Sequence, residues 1–85
     1  MARNLNKLQA EFEEAMSYHQ LGQVDEAETR YRKLMKKAPK TPALHNNLGL
    51  VLQAQHRVDE AVKQLERAVK LDRQYVDAHS NLGNA

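Results

Sequence analysis

The side chains here that could do chemistry are four histidines, two serines, a cluster of glutamates and a run of cations. His19, His45, His56 and His79 match neither the H-x-x-x-H nor the HExxH spacing, and there is no cysteine to complete a zinc set. His45 and His79 belong on neighbouring helices whose axes lie roughly 8–10 Å apart, too far to share a metal without a third ligand. They read as partly buried histidines between helices. Ser17 and Ser80 stand in no nucleophile elbow, and no Gly-rich phosphate loop is present. Glu11, Glu13 and Glu14 gather at a helix start amid ordinary surface charge, with no apolar pocket to raise a pKa. The expectation is a protein with no catalysis, no cofactor and no metal.

The cations Arg30, Arg32, Lys33, Lys36, Lys37 and Lys40 fall mostly on the outer face of one helix, with Tyr31 turned inward. Aromatics for base stacking are therefore missing, and Lys or Arg near a helix C-terminus suits the macrodipole. A solvated basic face is expected, not a patch for nucleic acid or an acidic partner, and the net charge of +2 agrees with this. The absence of cysteine removes any need for an oxidising compartment. The N-terminus "MARNLNKLQAEFEEA" has no signal-like apolar core, and no apolar run reaches membrane-spanning length. The chain reads as soluble and cytoplasmic, with no membrane partner.

These side chains must be positioned by helices. With 41% hydrophobic residues, 28% charged residues, three glycines and two prolines, the composition is that of a folded helical chain. Leu5, Leu8, Phe12, Ala15 and Met16 follow i, i+3, i+4, i+7 spacing, as do Ala27, Tyr31, Leu34 and Met35. Leu44, Leu48, Val51 and Leu52, and then Ala61, Leu65, Ala68 and Val69, repeat the pattern. Gly22 suits a left-handed helix end, Asp25 and Asp59 can cap or charge the next N-terminus, and Thr41-Pro42 reads as an N-cap with proline in the first turn. Five helices are predicted, near 4–21, 25–38, 42–55, 59–71 and 76–84.

A shift of 34 residues lays "VDEA" at 24–27 onto "VDEA" at 58–61, and His45, Asn47, Leu48 and Gly49 onto His79, Asn81, Leu82 and Gly83. Within each hairpin Ala27 should face Ala15 and Ala61 should face Gly49, with Tyr31 and Leu65 filling the wider space beside them. One hairpin cannot bury its whole apolar face, so the next must stack on it. His56 stands where the first hairpin has Gly22, which implies a more strained turn.

Leu48-Gly49, Leu82-Gly83, Ala27, Ala61, Ala68 and Pro39, on this period, resemble the tetratricopeptide repeats, over roughly residues 8–85. Departures are Glu11, His45 and His79 at the Trp-like position, Arg73 for the closing Pro, and Glu14-Ala15 for the first Leu-Gly. The resemblance implies an all-α fold of antiparallel hairpins stacked as a solenoid, in one domain over 1–85. Its parts would be a repeat at about 8–41, a second at 42–75, and a half repeat or capping helix at 76–85.

The resemblance also implies a protein-interaction scaffold whose first helices line a concave groove for a peptide partner. That groove is expected to carry Phe12, Glu13 and Met16, then Asn46, Asn47 and Leu50, then Ser80, Asn81 and Asn84, with His19 and Gln53 one turn further on. Asn47 and Asn81 would form an amide ladder for peptide main chain. The alternatives are that the asparagines cap or bridge neighbouring helices, and that Phe12 and Met16 are ordinary core. The carboxylate clamp for chaperone tails is not expected, because of its positions Phe12, Met16, Asn47, Asp77 and Asn81 only Asn47 agrees. Two other functions stay open. One is self-assembly or membership of a longer array, suggested by a last helix with no second helix to cover it. The other is a regulatory repeat segment of a glycosyltransferase-like enzyme, since "AHSNLG" is similar to repeats of O-linked N-acetylglucosamine transferases and of many bacterial repeat proteins.

Overall fold

The structure, a computed structural model, describes the backbone of residues 2–85 and the side chains of residues 6–85; Leu5, the first apolar position of the predicted pattern, lies outside the described side chains. Five helices follow one another: α1 (Ala2–Gln20), α2 (Val24–Lys37), α3 (Pro42–Ala54), α4 (Val58–Leu71) and α5 (Val76–Asn84), with no strand among the described residues. Each helix packs antiparallel on the next, and α3 also touches α5, so that hairpins α1–α2 and α3–α4 stack with α5 on the far side. The molecule measures 36 × 28 × 18 Å.

Both hairpin turns are Schellman motifs. Gln23 N–H donates to the Tyr18 carbonyl (2.9 Å) and Gly22 N–H to that of His19 (3.0 Å); Arg57 N–H to Leu52 (2.9 Å) and His56 N–H to Gln53 (2.9 Å) repeat the pattern. The residue at the left-handed position is Gly22 in the first turn (φ 80°) and His56 in the second (φ 62°). The strain expected of His56 is therefore present, since a side chain at positive φ crowds its own carbonyl.

Asp25 and Asp59 do not cap: the N-cap positions belong to Gln23 and Arg57, neither with a side-chain capping bond. Asp25, Glu26, Asp59 and Glu60 sit in the first turns and favour the helix dipole. Thr41 holds the N-cap position before Pro42, but the bond closing that turn comes from its backbone carbonyl, which accepts Leu44 N–H at 3.1 Å. At the following interhelix turn Asp72 takes over where the repeat lacks a proline, its carboxylate accepting Gln74 N–H at 3.0 Å.

Ala15, Ala27, Tyr31, Leu48, Leu52, Ala61 and Leu65 are all fully buried. A Cβ on Gly49 would meet Leu65 Cγ and Cδ2 at 2.9 Å and the Ala61 carbonyl oxygen at 3.3 Å, so the close approach of α3 and α4 depends on the missing side chain. The same probe at Gly83 meets nothing within 4 Å. In α5, Ala78 is fully buried, Val76 is 75% exposed and Leu82 is half-buried.

Electrostatic links tie the repeats together on the α2–α4 side. Glu28, its side chain 16% exposed, accepts from Arg32 (2.8 Å), Arg57 (2.8 Å) and Gln55 (3.1 Å), and Arg57 also holds Glu60 at 2.7 Å. Burial pushes the Glu28 carboxyl up, but the hydrogen bonds from Arg32, Gln55 and Arg57 together pull it below its ordinary value.

Candidate functional site

On the face formed by α1, α3 and α5, the hydroxyl of the buried Tyr31 is the endpoint of a chain of side-chain amides. Asn81 Nδ2 donates to Asn46 Oδ1 (3.0 Å), Asn46 Nδ2 to Asn47 Oδ1 (3.2 Å), and Asn47 Nδ2 to the Tyr31 hydroxyl (3.4 Å). All three bonds run in one direction, from the third repeat unit into the first, and this polarity orients each amide. Burial pushes the Tyr31 phenol up, the Asn47 bond opposing only in part, so it stays protonated. The Phe12 ring meets the Tyr31 ring edge-on, centroids 6.0 Å apart at 74°.

Of the amides expected on the groove, Asn46 is 4% exposed and occupies the middle of this chain, between Asn47 and Asn81, so its polar atoms are spent inside the protein. Asn47 is half-buried and keeps one N–H and one oxygen lone pair; Asn81, also half-buried, keeps one N–H and its whole Oδ1. The two asparagines do not touch each other, and Asn46 is the rung between them. Asn84 and Ser80 are exposed and stand outside the chain. Glu13 is exposed, its carboxylate accepting from Gln9 at 3.5 Å. His19, Leu50 and Gln53 are half-buried. Phe12 and Met16 are half-buried as well and pack on the core, so they are at once core wall and open surface.

Beside Phe12 the face opens into a cleft of about 390 Å³, walled by Leu8, Phe12, Leu34, Ala38 and Leu44, with Gln9 and Thr41 at its edge. It lies between α1 and α3, closed by the C-terminal end of α2. Sequence periodicity marks Leu8, Leu34 and Leu44 as core; Leu34 and Leu44 are buried and form the floor of the cleft, and Leu8 is half-buried at its wall. Tyr31 is the larger omission: it was assigned as filler, yet it joins Phe12 to Asn47. Its type and its inward helical position were the available signal.

The two motif histidines have a structural task. His45 Nε2–H donates to the Pro39 carbonyl at 2.7 Å, and His79 Nε2–H to the Arg73 carbonyl at 2.7 Å, each reaching back six residues to hold the preceding loop. His45 Nδ1 also lies 2.8 Å from the Gln64 amide. Among the described residues no group of three or more His, Cys, Asp or Glu side chains is placed to hold a metal ion, and no helix is long and apolar enough to cross a membrane.

A TPR repeat model matches residues 15–56 and 54–85, its two hits meeting in the second hairpin turn. No curated protein matches the chain. The matched stretches begin near the end of α1 and cover both Leu-Gly helices and the close Gly49–Ala61 crossing of the second hairpin, and the chain belongs to the tetratricopeptide-repeat family.

Proposed function

We propose that this chain holds a partner protein by an extended peptide segment laid along the concave face of α1, α3 and α5. Repeats of this family generally mediate protein–protein interaction. What supports this groove in particular is one observation: a directed amide chain, Asn81 to Asn46 to Asn47 to Tyr31, reaches an open apolar cleft through Tyr31 and Phe12. The free N–H of Asn47 donates to a peptide carbonyl, the free Oδ1 of Asn81 accepts a peptide N–H, and a Leu, Met or Phe of the ligand fills the cleft. Burying that side chain contributes about 1.5–3 kcal/mol and each amide bond about 0.5–1.5 kcal/mol, so the expected affinity is micromolar or weaker.

An array of extended peptides differing in one apolar residue is the direct test. Peptides with a large apolar residue bind the native protein, and Phe12→Ala and Asn47→Ala weaken them while Asn84→Ala does not. Native-like binding by folded Phe12→Ala and Asn47→Ala variants would sink the reading.

A second reading, self-association through α5, is favoured by the open space at Gly83 and the exposure of Val76. Light scattering across concentrations separates the two, because a monomer at every concentration removes the second.

A further inference from the structure

The run of cations on α2 divides in the folded chain. Arg30 pairs with Glu14 and Glu26, Arg32 with Glu28 and Lys37 with Glu11. Lys40, at the end of the run, forms no ion pair among the described residues; it comes together instead with Arg67 and Lys70 of α4, which form none either. With Pro39 and Leu71 these three line a cleft of about 440 Å³ between the α2–α3 loop and the last two turns of α4. Leu71 is 38% exposed there.

No carboxylate lines this cleft. Asp72, next in the chain, is engaged by Gln74 N–H, and Glu66 precedes Arg67 without forming a wall. The cleft is also braced: His45 holds the Pro39 carbonyl and faces Gln64 of α4, which pins the loop to the helix. It shares no residue with the amide chain, and the loop separates it from the apolar cleft, to which the loop contributes Ala38 and Thr41.

We infer that this cleft is a second docking surface, and that its partner is an acidic peptide segment carrying a large apolar side chain. Carboxylates pair with Lys40, Arg67 and Lys70, whose unshared charge is the complement of such a segment, while the apolar side chain lies on Pro39 and Leu71. A nucleic acid fits less well, because no aromatic side chain lines the cleft to stack a base.

The probe is a fluorescein-labelled Glu-Glu-Leu-Glu-Glu-Leu peptide, followed by anisotropy and by amide chemical shifts on the full chain. Binding shifts the amides of 40 and 67–71 and leaves 12, 47 and 81 in place, so this outcome is separate from that of the concave groove. It weakens as NaCl rises from about 50 to about 500 mM, as screening requires. Lys40, Arg67 and Lys70 are exposed and unpaired, so the variant with all three changed to Glu keeps its fold and loses about ten-fold or more in affinity. The Gln-for-Glu peptide and the Ser-for-Leu peptide each bind more weakly. Equal binding by either peptide, shifts confined to the concave face, unchanged affinity of the triple variant, or tighter binding of single-stranded oligothymidine would overturn the assignment; should the triple variant fail to fold, the shift map and the two control peptides decide it.

Discussion

Replacing Gly49 by alanine sets a methyl group 2.9 Å from two carbons of Leu65 and 3.3 Å from the Ala61 carbonyl oxygen. Leu65 is fully buried and cannot swing out into solvent, and the carbonyl belongs to helix backbone. Relief must come from moving α4 off α3, an overpacking strain of about 1–3 kcal/mol. Alanine also removes the helix penalty of glycine, a gain of about 0.8–1.0 kcal/mol. The net expectation is a loss of up to ~2 kcal/mol. Gly83 stands at the same place in the second H-x-N-L-G motif but faces nothing within 4 Å, so Gly83→Ala keeps only the gain, reduced by its position near the end of α5. Thermal and urea unfolding followed by circular dichroism at 222 nm measures both, each kcal/mol moving Tm by about 4–8 °C in a chain of this size. Opposite signs for the two variants are expected. Equal shifts, or a stabilised Gly49→Ala, would refute the claim that one glycine is a contact and the other an open surface.

Three further outcomes follow from the same geometry. His56→Gly relieves a left-handed residue whose side chain is exposed, so it should raise stability by about 0.5–1 kcal/mol in the same unfolding assay, and Gly22→Ala should lower it. Glu28 titrates below its ordinary value in the folded chain, so its stabilisation is present above the unfolded value of 4.5 and is lost as pH falls through the folded one. Glu28→Gln should therefore cost about 1 kcal/mol at neutral pH and progressively less below about pH 4.5, which urea midpoints against pH would show. Asn46→Ala breaks two side-chain bonds in the interior, and should cost about 1–3 kcal/mol and broaden the side-chain amide resonances of Asn47 and Asn81.

The helices were legible because periodicity and breakers agree: α5 occupies its predicted span and α2 to α4 fall within one residue of theirs, while α1 begins at Ala2, two residues earlier than predicted. The Gly49–Ala61 crossing was also legible, since small residues in register across a hairpin have few other uses. Asn46 and Asn47 were not separable by type. They differ by 100° around the helix, and whether one of them ends under α5 depends on how α5 docks. Of the two roles open to Asp25 and Asp59, cap or first-turn charge, the structure takes the second, because the N-cap positions fall two residues earlier, at Gln23 and Arg57. Tyr31 looked like filler because its ring does fill the core, and the role of its hydroxyl depends on Asn47 reaching it from another repeat unit. Arg67 and Lys70 share one face of α4 at i, i+3, but Lys40 is far from them in sequence, and only the packing of the loop on α4 brings it to them.

The central claim is that an extended peptide lies on the face of α1, α3 and α5 with an apolar side chain beside Phe12. Titrating the labelled protein with an extended, uncharged peptide containing one phenylalanine, and reading amide and side-chain shifts, tests it most directly. The account predicts saturable shifts at Phe12, Leu44 and the side-chain amides of Asn47 and Asn81, with intermolecular contacts from the ligand phenylalanine to Leu8 and Leu34. Saturable binding that leaves those positions unmoved and perturbs the α2–α4 side instead would contradict it.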